Sequence, residues 1–171
     1  MPAIYALLIG INKYPLRPLE GCVNDAKAME KYLQDSYGKS ASTSLQIKKI
    51  TDEDEQPTRE NIINGFSFFE KAKDGDTCLI YYSGHGSFSP APPEFWTETD
   101  GYNESFVCAD SRLPGGRDLM DKEMGFLIWK TTIEQPGTHV IVITDCCHAG
   151  TITKALTNNR IKDKMKLAAR L

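Results

Sequence analysis

Two stretches decide the fold of this chain: Thr77-Cys-Leu-Ile-Tyr-Tyr-Ser-Gly-His85-Gly86 and His139-Val-Ile-Val-Ile-Thr-Asp145-Cys-Cys147-His-Ala-Gly150. Each begins with an apolar run that has the length and the β-branched or aromatic content of a buried strand. Polar residues follow each run directly. Open α/β sheets build their sites beyond the carboxyl ends of their strands, so we expect a histidine and a cysteine to meet there.

Two further strand-like runs, residues 3–9 and 45–50, precede these stretches, and helical patterns separate the strands. The first helix is predicted to be capped by Asn24 or Asp25 and to end at Gly38. Its apolar face is expected to carry Met29, Tyr32, Leu33 and Tyr37.

A second helix is predicted to open at Pro57-Thr58, and a third is predicted to be capped by Asp121. Strands that alternate with helices favour right-handed crossovers and a mostly parallel sheet. The predicted fold class is therefore α/β, a three-layer αβα arrangement with helices on both faces of the sheet. Residues 87–116 read as a long functional loop, interrupted only by a short strand-like segment at 105–108.

The bulk composition limits the classes of protein. At 171 residues with 40% hydrophobic content, the chain is expected to form one domain. Its apolar runs are too short to cross a membrane and its start has no secretory pattern, so we expect a cytoplasmic protein. Five cysteines without regular spacing indicate reduced thiols. Neither nucleic acid nor a membrane is an expected partner.

Charge is distributed unevenly along the chain. Residues 151–171 carry six Lys or Arg side chains against one Asp, although the whole chain has a formal charge of −3. An acidic body therefore precedes a basic tail. The body is expected to accept basic segments, or the tail is simply a solvated charged segment.

The residues after the strands fit nucleophilic catalysis. A thiol attacks a carbonyl only as thiolate, so it needs a nearby imidazole and amide donors for the oxyanion. His85 lies between two glycines, which would let a substrate backbone approach. Cys147 is expected to lie at a sharp turn after a buried strand.

Simpler interpretations exist for the same residues. A lone histidine is more often structural, and a buried cysteine is usually an inert small hydrophobe. A nucleotide-binding domain would need a glycine-rich phosphate loop, which residues 10–14 lack. A zinc site is disfavoured because adjacent cysteines rarely chelate one metal; it would combine His85, Cys146, Cys147 and His148.

The motifs at residues 81–86 and 145–150 resemble the histidine and cysteine motifs of the caspase-like cysteine peptidases, peptidase family C14. They are most similar to those of metacaspases and of their prokaryotic relatives, the orthocaspases. Residues 6–14 and 19–26 also resemble the first strand and specificity loop of that family. The resemblance implies the caspase-haemoglobinase fold.

The resemblance also implies a division of the chain. Residues 1–150 would form the large-subunit part of the catalytic domain, and residues 151–171 a basic tail where the subunits are separated by processing. The small subunit, which would complete the fold, is absent from this chain. Lys154 and Arg160 are possible autocleavage positions.

The resemblance implies a catalytic dyad in which Cys147 is the nucleophile and His85 the acid and base. The amides of Gly86 and Cys147 would form the oxyanion hole. Cys146 is set aside because the nucleophile of the family directly precedes a histidine.

Substrate preference is implied by two acids. In metacaspases the residues matching Asp25 and Asp145 line the specificity pocket, and carboxylates there favour Arg or Lys before the scissile bond. Without the resemblance, Asp25 reads equally well as a helix cap. Caspases that cut after Asp need pocket arginines, and Leu19 stands where such an arginine would align.

The resulting hypothesis is a cysteine endopeptidase that cleaves after Arg or Lys, processes its own tail, and acts in regulated proteolysis of the cell-death or defence type. The alternatives are a non-catalytic caspase-like interaction module and a peptidase with acidic specificity. No cofactor is expected to be required. Calcium is a possible activator through Asp100, Asn103 and Asp121, but the ammonium of Lys122 would oppose a dication.

Overall fold

The computed structural model describes residues 1–91 and 101–146. Strands and helices alternate along most of this part of the chain, as the sequence predicts. The elements are β1 (Ala3–Gly10), α1 (Cys22–Tyr37), β2 (Ser44–Thr51), α2 (Arg59–Gly65), a 3₁₀-helix (Phe66–Lys71), β3 (Thr77–Ser83), β4 (Gly86–Pro90), β5 (Tyr102–Phe106), β6 (Leu119–Met120), α3 (Asp121–Glu134) and β7 (His139–Asp145).

The main sheet has the strand order β2-β1-β3-β7, and every neighbouring pair is parallel. The four predicted strands are confirmed, each within two residues of its predicted ends. Gly10 pairs with Ser83, and Ser83 pairs with Asp145. The carboxyl ends of β1, β3 and β7 therefore meet at one edge of the sheet.

Helices cover both faces of this sheet, which confirms the predicted three layers. Alternate strand residues point to opposite faces. On one face Leu8 and Leu79 pack with Ala26 and Leu33 of α1. On the other face a larger cluster joins β1 and β3 to residues of α2, the 3₁₀-helix and α3, among them Ile62, Phe66, Phe69, Met124 and Ile128.

The predicted N-cap is correct for α2 and wrong for α1 and α3. The Thr58 hydroxyl accepts a hydrogen bond from the Asn61 amide at 3.2 Å, and Gly38 ends α1 as expected. The N-cap of α1, however, is Gly21, so Asn24 and Asp25 lie inside the helix.

Burial explains the earlier start of α1. Cys22 and Val23 are 8% and 2% exposed, and packing of an apolar first turn outweighs the capping preference of a polar side chain. Tyr32, expected on the apolar face, is 62% exposed. In α3, Met120 is the N-cap, and the Met120 amide donates to the Glu123 carboxylate at 3.0 Å.

The predicted long loop is instead partly a second, small sheet. Strands β4, β5 and β6 form an antiparallel sheet in that order. The strand-like segment expected at residues 105–108 is β5, which ends at Phe106. The sequence pattern was misleading because β4 is short and mostly polar, β6 has only two residues, and their pairing with β5 is non-local.

One edge of the main sheet is open in the described part of the chain. β7 is the terminal strand, and its side chains Ile141 and Ile143 are 44% and 37% exposed. Within the described ranges, no helix combines the length and hydrophobicity that crossing a bilayer requires.

Candidate active site

The segment that follows β3 lies against the end of β7. Ser83 is in register with Asp145, and the Gly84 amide donates to the Asp145 carbonyl oxygen at 3.4 Å. His85 comes next. The predicted meeting of the two strand ends is therefore confirmed as far as Cys146, the last described residue before residues 147–171, which include Cys147.

The backbone of His85 is held by two tyrosines. Its amide donates to the Tyr14 hydroxyl at 2.9 Å, and its carbonyl oxygen accepts from the Tyr82 hydroxyl at 2.8 Å. The same carbonyl oxygen accepts from the Val107 amide at 3.0 Å. His85 itself is half-buried.

The His85 ring is oriented by a backbone group. Its Nε2 lies 2.7 Å from the carbonyl oxygen of Arg17. A carbonyl oxygen only accepts hydrogen bonds, so Nε2 carries a proton, and in the neutral ring Nδ1 is the nitrogen able to accept one. Nucleophile-base pairs use a third group in this way to orient the base.

Residue type alone could not have identified this contact. Arg17 contributes its carbonyl oxygen, which every residue has, and not its side chain. Its φ of 57° lies in the left-handed region, which turns the chain at this point.

The two positions that flank His85 are occupied by glycine for different structural reasons. A Cβ on Gly84 would lie 2.5 Å from the Tyr14 hydroxyl and 2.7 Å from the Tyr82 hydroxyl, so no larger residue fits there. Gly86 opposes Phe106 in the β4-β5 ladder, next to the hydrogen-bonded position of His85 and Val107. Because hydrogen-bonded and non-bonded pairs alternate in antiparallel sheets, the Gly86 amide points away from β5. In the described part of the small sheet, β4 is an edge strand, so no other strand lies on the side to which this amide points.

The two predicted pocket acids approach the same residues from different elements. Asp25, in the first turn of α1, accepts a hydrogen bond from the Ser83 hydroxyl at 3.3 Å, while Asp145 is paired in register with Ser83. Burial raises the pKa of the Tyr81 phenol, and the nearby Asp145 and Asp25 carboxylates add to the increase.

A thiol belongs to the same cluster. Burial raises the pKa of Cys22, and the charges of Asp25 and Asp145 act in the same direction. We call the cluster of Cys22, Asp25, Ser83 and Asp145 the acidic pocket. Neither Cys22 nor Ser83 is predicted from the sequence to belong to this pocket, because only the pairing of β3 with β7 and the position of α1 bring them together.

Electrostatically, the acidic pocket is suited to a cation. Across residues 1–91 and 101–146, the ion pairs of lysine, arginine and histidine involve neither Asp25 nor Asp145. Two carboxylates that lack a basic partner in this region would gain charge-assisted hydrogen bonds from a guanidinium or ammonium group.

Cys146 and Asp145 face opposite sides of the sheet. Cys146 packs, half-buried, against the larger core cluster on the side of Tyr82, whereas Asp145 influences Tyr81 on the α1 side. Cys146 therefore has a packing role on the face opposite the acidic pocket.

Two of the three calcium candidates, Asn103 and Asp121, lie among the described residues. Asp100 lies outside the described residues. The Lys122 ammonium is 3.2 Å from the Asp121 carboxylate, in a place where a dication would be repelled. Asn103 is buried and its Oδ1 has no hydrogen-bond partner. Among the described residues, no group of three or more metal-ligating His, Cys, Asp or Glu side chains exists.

Comparison with known proteins identifies the class of this fold and site. The solved structure of protein GSU0716 from Geobacter sulfurreducens matches with a TM-score of 0.66 and 24% identity, covering 91% of this chain and 54% of that protein, which shows a shared fold. The family model described as metacaspase, peptidase C14 domain, matches residues 5–156. Both agree with a caspase-like α/β architecture.

Individual relatives give the family. Metacaspase-1 of Emericella nidulans is 36% identical over 151 residues, which cover 85% of this chain and 35% of that protein. Metacaspase-7 of Arabidopsis thaliana is 38% identical over 152 residues, covering 85% and 34%. This chain belongs to the metacaspase family of caspase-like cysteine peptidases. It spans about a third of the length of these curated relatives.

Proposed function

We propose that this protein is a cysteine endopeptidase that uses Cys147 as nucleophile and His85 as acid and base. The observation that supports this most directly is the hydrogen bond from His85 Nε2 to the Arg17 carbonyl oxygen, because it leaves Nδ1 to take a proton. Cys147 is two residues after Asp145, the last residue of β7. Family membership supports the same assignment.

In the proposed reaction, His85 Nδ1 accepts the Cys147 thiol proton and the thiolate attacks the scissile carbonyl carbon. The carbonyl electron pair moves onto oxygen, where the Gly86 and Cys147 amides donate hydrogen bonds. The C–N bond then breaks, and His85 returns its proton to the leaving amine. Water, deprotonated by His85, hydrolyses the thioester and restores the thiol.

We propose Arg or Lys as the residue before the scissile bond. The acidic pocket supplies two carboxylates from separate elements, and Ser83 connects them through its hydroxyl and its register with Asp145. A guanidinium can bind a carboxylate with two parallel hydrogen bonds, which favours Arg over uncharged side chains. The same charges disfavour an acidic residue and so argue against caspase-like Asp specificity.

The whole-protein context is part of the proposal. The open edge of β7, with its exposed Ile141 and Ile143, is suited to pairing with a further strand such as those of a small subunit. Autocleavage after Lys154 or Arg160 would lie in residues outside the described part of the chain. A cytoplasmic setting is supported by three buried cysteines that are free thiols: Cys22, Cys78 and Cys108. A role in cell death or defence rests on family membership alone.

The decisive experiment compares Cys147→Ala with Cys146→Ala. We expect the wild type and Cys146→Ala to hydrolyse a fluorogenic peptide that ends in Arg before the leaving group, and Cys147→Ala to lose at least about 10³-fold in rate. Intact mass spectrometry of the same samples should show tail cleavage after a basic residue only where Cys147 is present. The Asp121 and Lys122 pair leads us to expect equal rates with chelator and with added calcium.

Two results would contradict the proposal. Equal hydrolysis by Cys147→Ala would exclude Cys147 as nucleophile. No hydrolysis by the wild type, together with no labelling of Cys147 by an arginyl chloromethyl ketone, would favour the alternative of a non-catalytic interaction module.

A further inference from the structure

The loop from Ile11 to Gly21, which we call the β1-α1 loop, is fixed at its start to two other segments. The Ile11 amide donates to the Ser83 carbonyl oxygen at 3.0 Å. The Asn12 and Lys13 amides donate to the buried Asp52 carboxylate at 2.6 and 3.0 Å. The loop therefore begins in a defined position beside the carboxyl end of β3.

The loop also closes on itself before α1 begins. The Leu19 amide donates to the Asn12 carbonyl oxygen at 2.9 Å, and the Asn12 side chain accepts from the Val23 amide at 3.4 Å. Tyr14 and Arg17 lie inside this closed segment. Their positions relative to His85 are therefore set by the loop as a unit.

Tyr14 makes three different contacts around His85. Its hydroxyl accepts from the His85 amide at 2.9 Å and donates to the Val107 carbonyl oxygen at 3.1 Å. Its ring lies against the imidazole, with ring centroids 4.7 Å apart and planes at 52°. The Tyr82 hydroxyl lies 3.5 Å from the Tyr14 hydroxyl. It donates a hydrogen bond to the carbonyl oxygen of His85.

The environment of Tyr14 keeps this hydroxyl neutral. Tyr14 is 5% exposed and Tyr82 is 1% exposed. Burial raises the pKa of Tyr14 well above its usual range, so the hydroxyl keeps its proton and can accept and donate at once. Gly84 supplies the space, because a Cβ there would meet the Tyr14 hydroxyl.

We propose that Tyr14 is a positioning residue that fixes both the peptide and the ring plane of His85. Together with the Arg17 carbonyl oxygen three residues later, it sets one orientation and one tautomer of the imidazole. The proposal rests on the proposed peptidase function for its kinetic consequence only. A misplacement of the base by about 1 Å can lower the rate up to about 100-fold, so even a small loosening should be measurable.

The kinetic test compares Tyr14→Phe with Tyr5→Phe. Tyr14→Phe keeps the ring and removes only the hydroxyl. Tyr5→Phe removes a hydroxyl that donates to the Lys71 carbonyl oxygen at 3.2 Å, far from His85 in the fold. We expect kcat to fall about tenfold in Tyr14→Phe with KM changed less than about twofold, and Tyr5→Phe to match the wild type.

A second measurement does not depend on activity. In the Cys147→Ala background, ¹⁵N NMR of the imidazole nitrogens reports the tautomer of His85, assigned among the three histidines by loss of its signals in His85→Gln. We expect the Nε2-protonated tautomer to dominate, and Tyr14→Phe to broaden these signals or to mix in the other tautomer. Tyr5→Phe should leave them unchanged.

The outcomes separate the two proposals. Unchanged NMR signals in Tyr14→Phe overturn the positioning role, whether or not the protein is active. An equal fall of kcat in Tyr5→Phe overturns the positioning role as well. So does a loss of kcat/KM in Tyr14→Phe that comes from a higher KM and not from a lower kcat. If the wild type is inactive but Tyr14→Phe changes the tautomer, the positioning role stands and the peptidase proposal fails.

Discussion

At the scale of single residues, the two carboxylates of the acidic pocket differ in their exposure to water. Asp25 is half-buried and hydrogen-bonded to Ser83, whereas Asp145 is exposed at the end of β7. The half-buried carboxylate is less screened by water, so its attraction to a bound cation is stronger. Asp25 should therefore contribute more to recognition of a basic side chain.

Asp25→Asn should lower kcat/KM for an Arg substrate by at least about tenfold, mainly through KM, because the neutral amide cannot form a charge-assisted pair. The matching substrate with citrulline in place of Arg has no charge to lose and should be cleaved equally by both proteins. Steady-state kinetics on the two peptides measure the difference.

The control for this substitution is Asp35→Asn on the same helix. Asp35 pairs with Lys31 at 2.7 Å, and both side chains are largely exposed. The Asp35→Asn substitution therefore removes one negative charge from the same helix without changing the acidic pocket. An equal loss in Asp35→Asn, or an equal loss on the citrulline peptide, would contradict a pocket role for Asp25.

At the scale of elements, Asp52 connects the end of β2 to the β1-α1 loop. Its Oδ2 accepts both the Asn12 and Lys13 amides, the side chain is buried, and Oδ1 has no partner. A buried carboxylate is tolerated here because two amides solvate its charge. The arrangement links the loop that carries Tyr14 and Arg17 to the main sheet.

Asp52→Ala should reduce the free energy of unfolding by about 1–3 kcal/mol, since two amides lose their acceptor. It should also lower kcat, because the loop then holds His85 less firmly. Urea denaturation and steady-state kinetics test both effects. Glu53→Ala is the matched neighbour: Glu53 pairs with Lys27 and is 56% exposed in its side chain, so its removal should change little. Equal effects of the two substitutions would contradict the anchoring role.

At the scale of the whole molecule, two thiols lie deep in the larger core cluster. Cys78 and Cys108 are each 0% exposed. Burial raises the pKa of Cys78 to about 11 and that of Cys108 to about 12, from an ordinary value of 9.0. The acids Asp76 and Asp110 respectively increase these values further. The folded core therefore requires both thiols to be protonated.

These raised pKa values make stability fall in alkaline solution. Below pH 9 both states keep the thiol proton, whereas above it the unfolded chain releases a proton that the folded chain retains. The loss continues as the pH rises toward 11 for Cys78 and 12 for Cys108. At pH 10 each thiol should lower the free energy of unfolding by roughly 1.4 kcal/mol relative to its value at pH 8.

Denaturant unfolding at pH 8 and pH 10 measures this loss. Cys108→Ala is less stable overall because it leaves a small cavity, but its decline between the two pH values should be smaller than that of the wild type. Comparing declines removes the contributions of tyrosines and lysines common to both proteins. An identical decline would contradict the role of the Cys108 thiol.

Local patterns were sufficient for much of the fold. Runs of β-branched and aromatic residues predicted the four main strands, and Thr58 predicted the start of α2. They failed where packing outweighs local preference, as at the first turn of α1, or where pairing is non-local, as in the small sheet of β4 to β6. Among the proposed site residues, the sequence indicates His85, Gly86, Asp25 and Asp145, because their side chains or their positions in motifs carry a signal.

The sequence by itself determined which strands form and which chemical groups follow them, because hydrophobic periodicity and residue type act locally. Only the tertiary structure decided how those groups are held. The Arg17 carbonyl oxygen on His85, the Tyr14 hydroxyl on its amide, and Ser83 between two acids are contacts between segments distant in the chain. Such contacts depend on the register of parallel strands and the path of a loop, which no single residue type encodes.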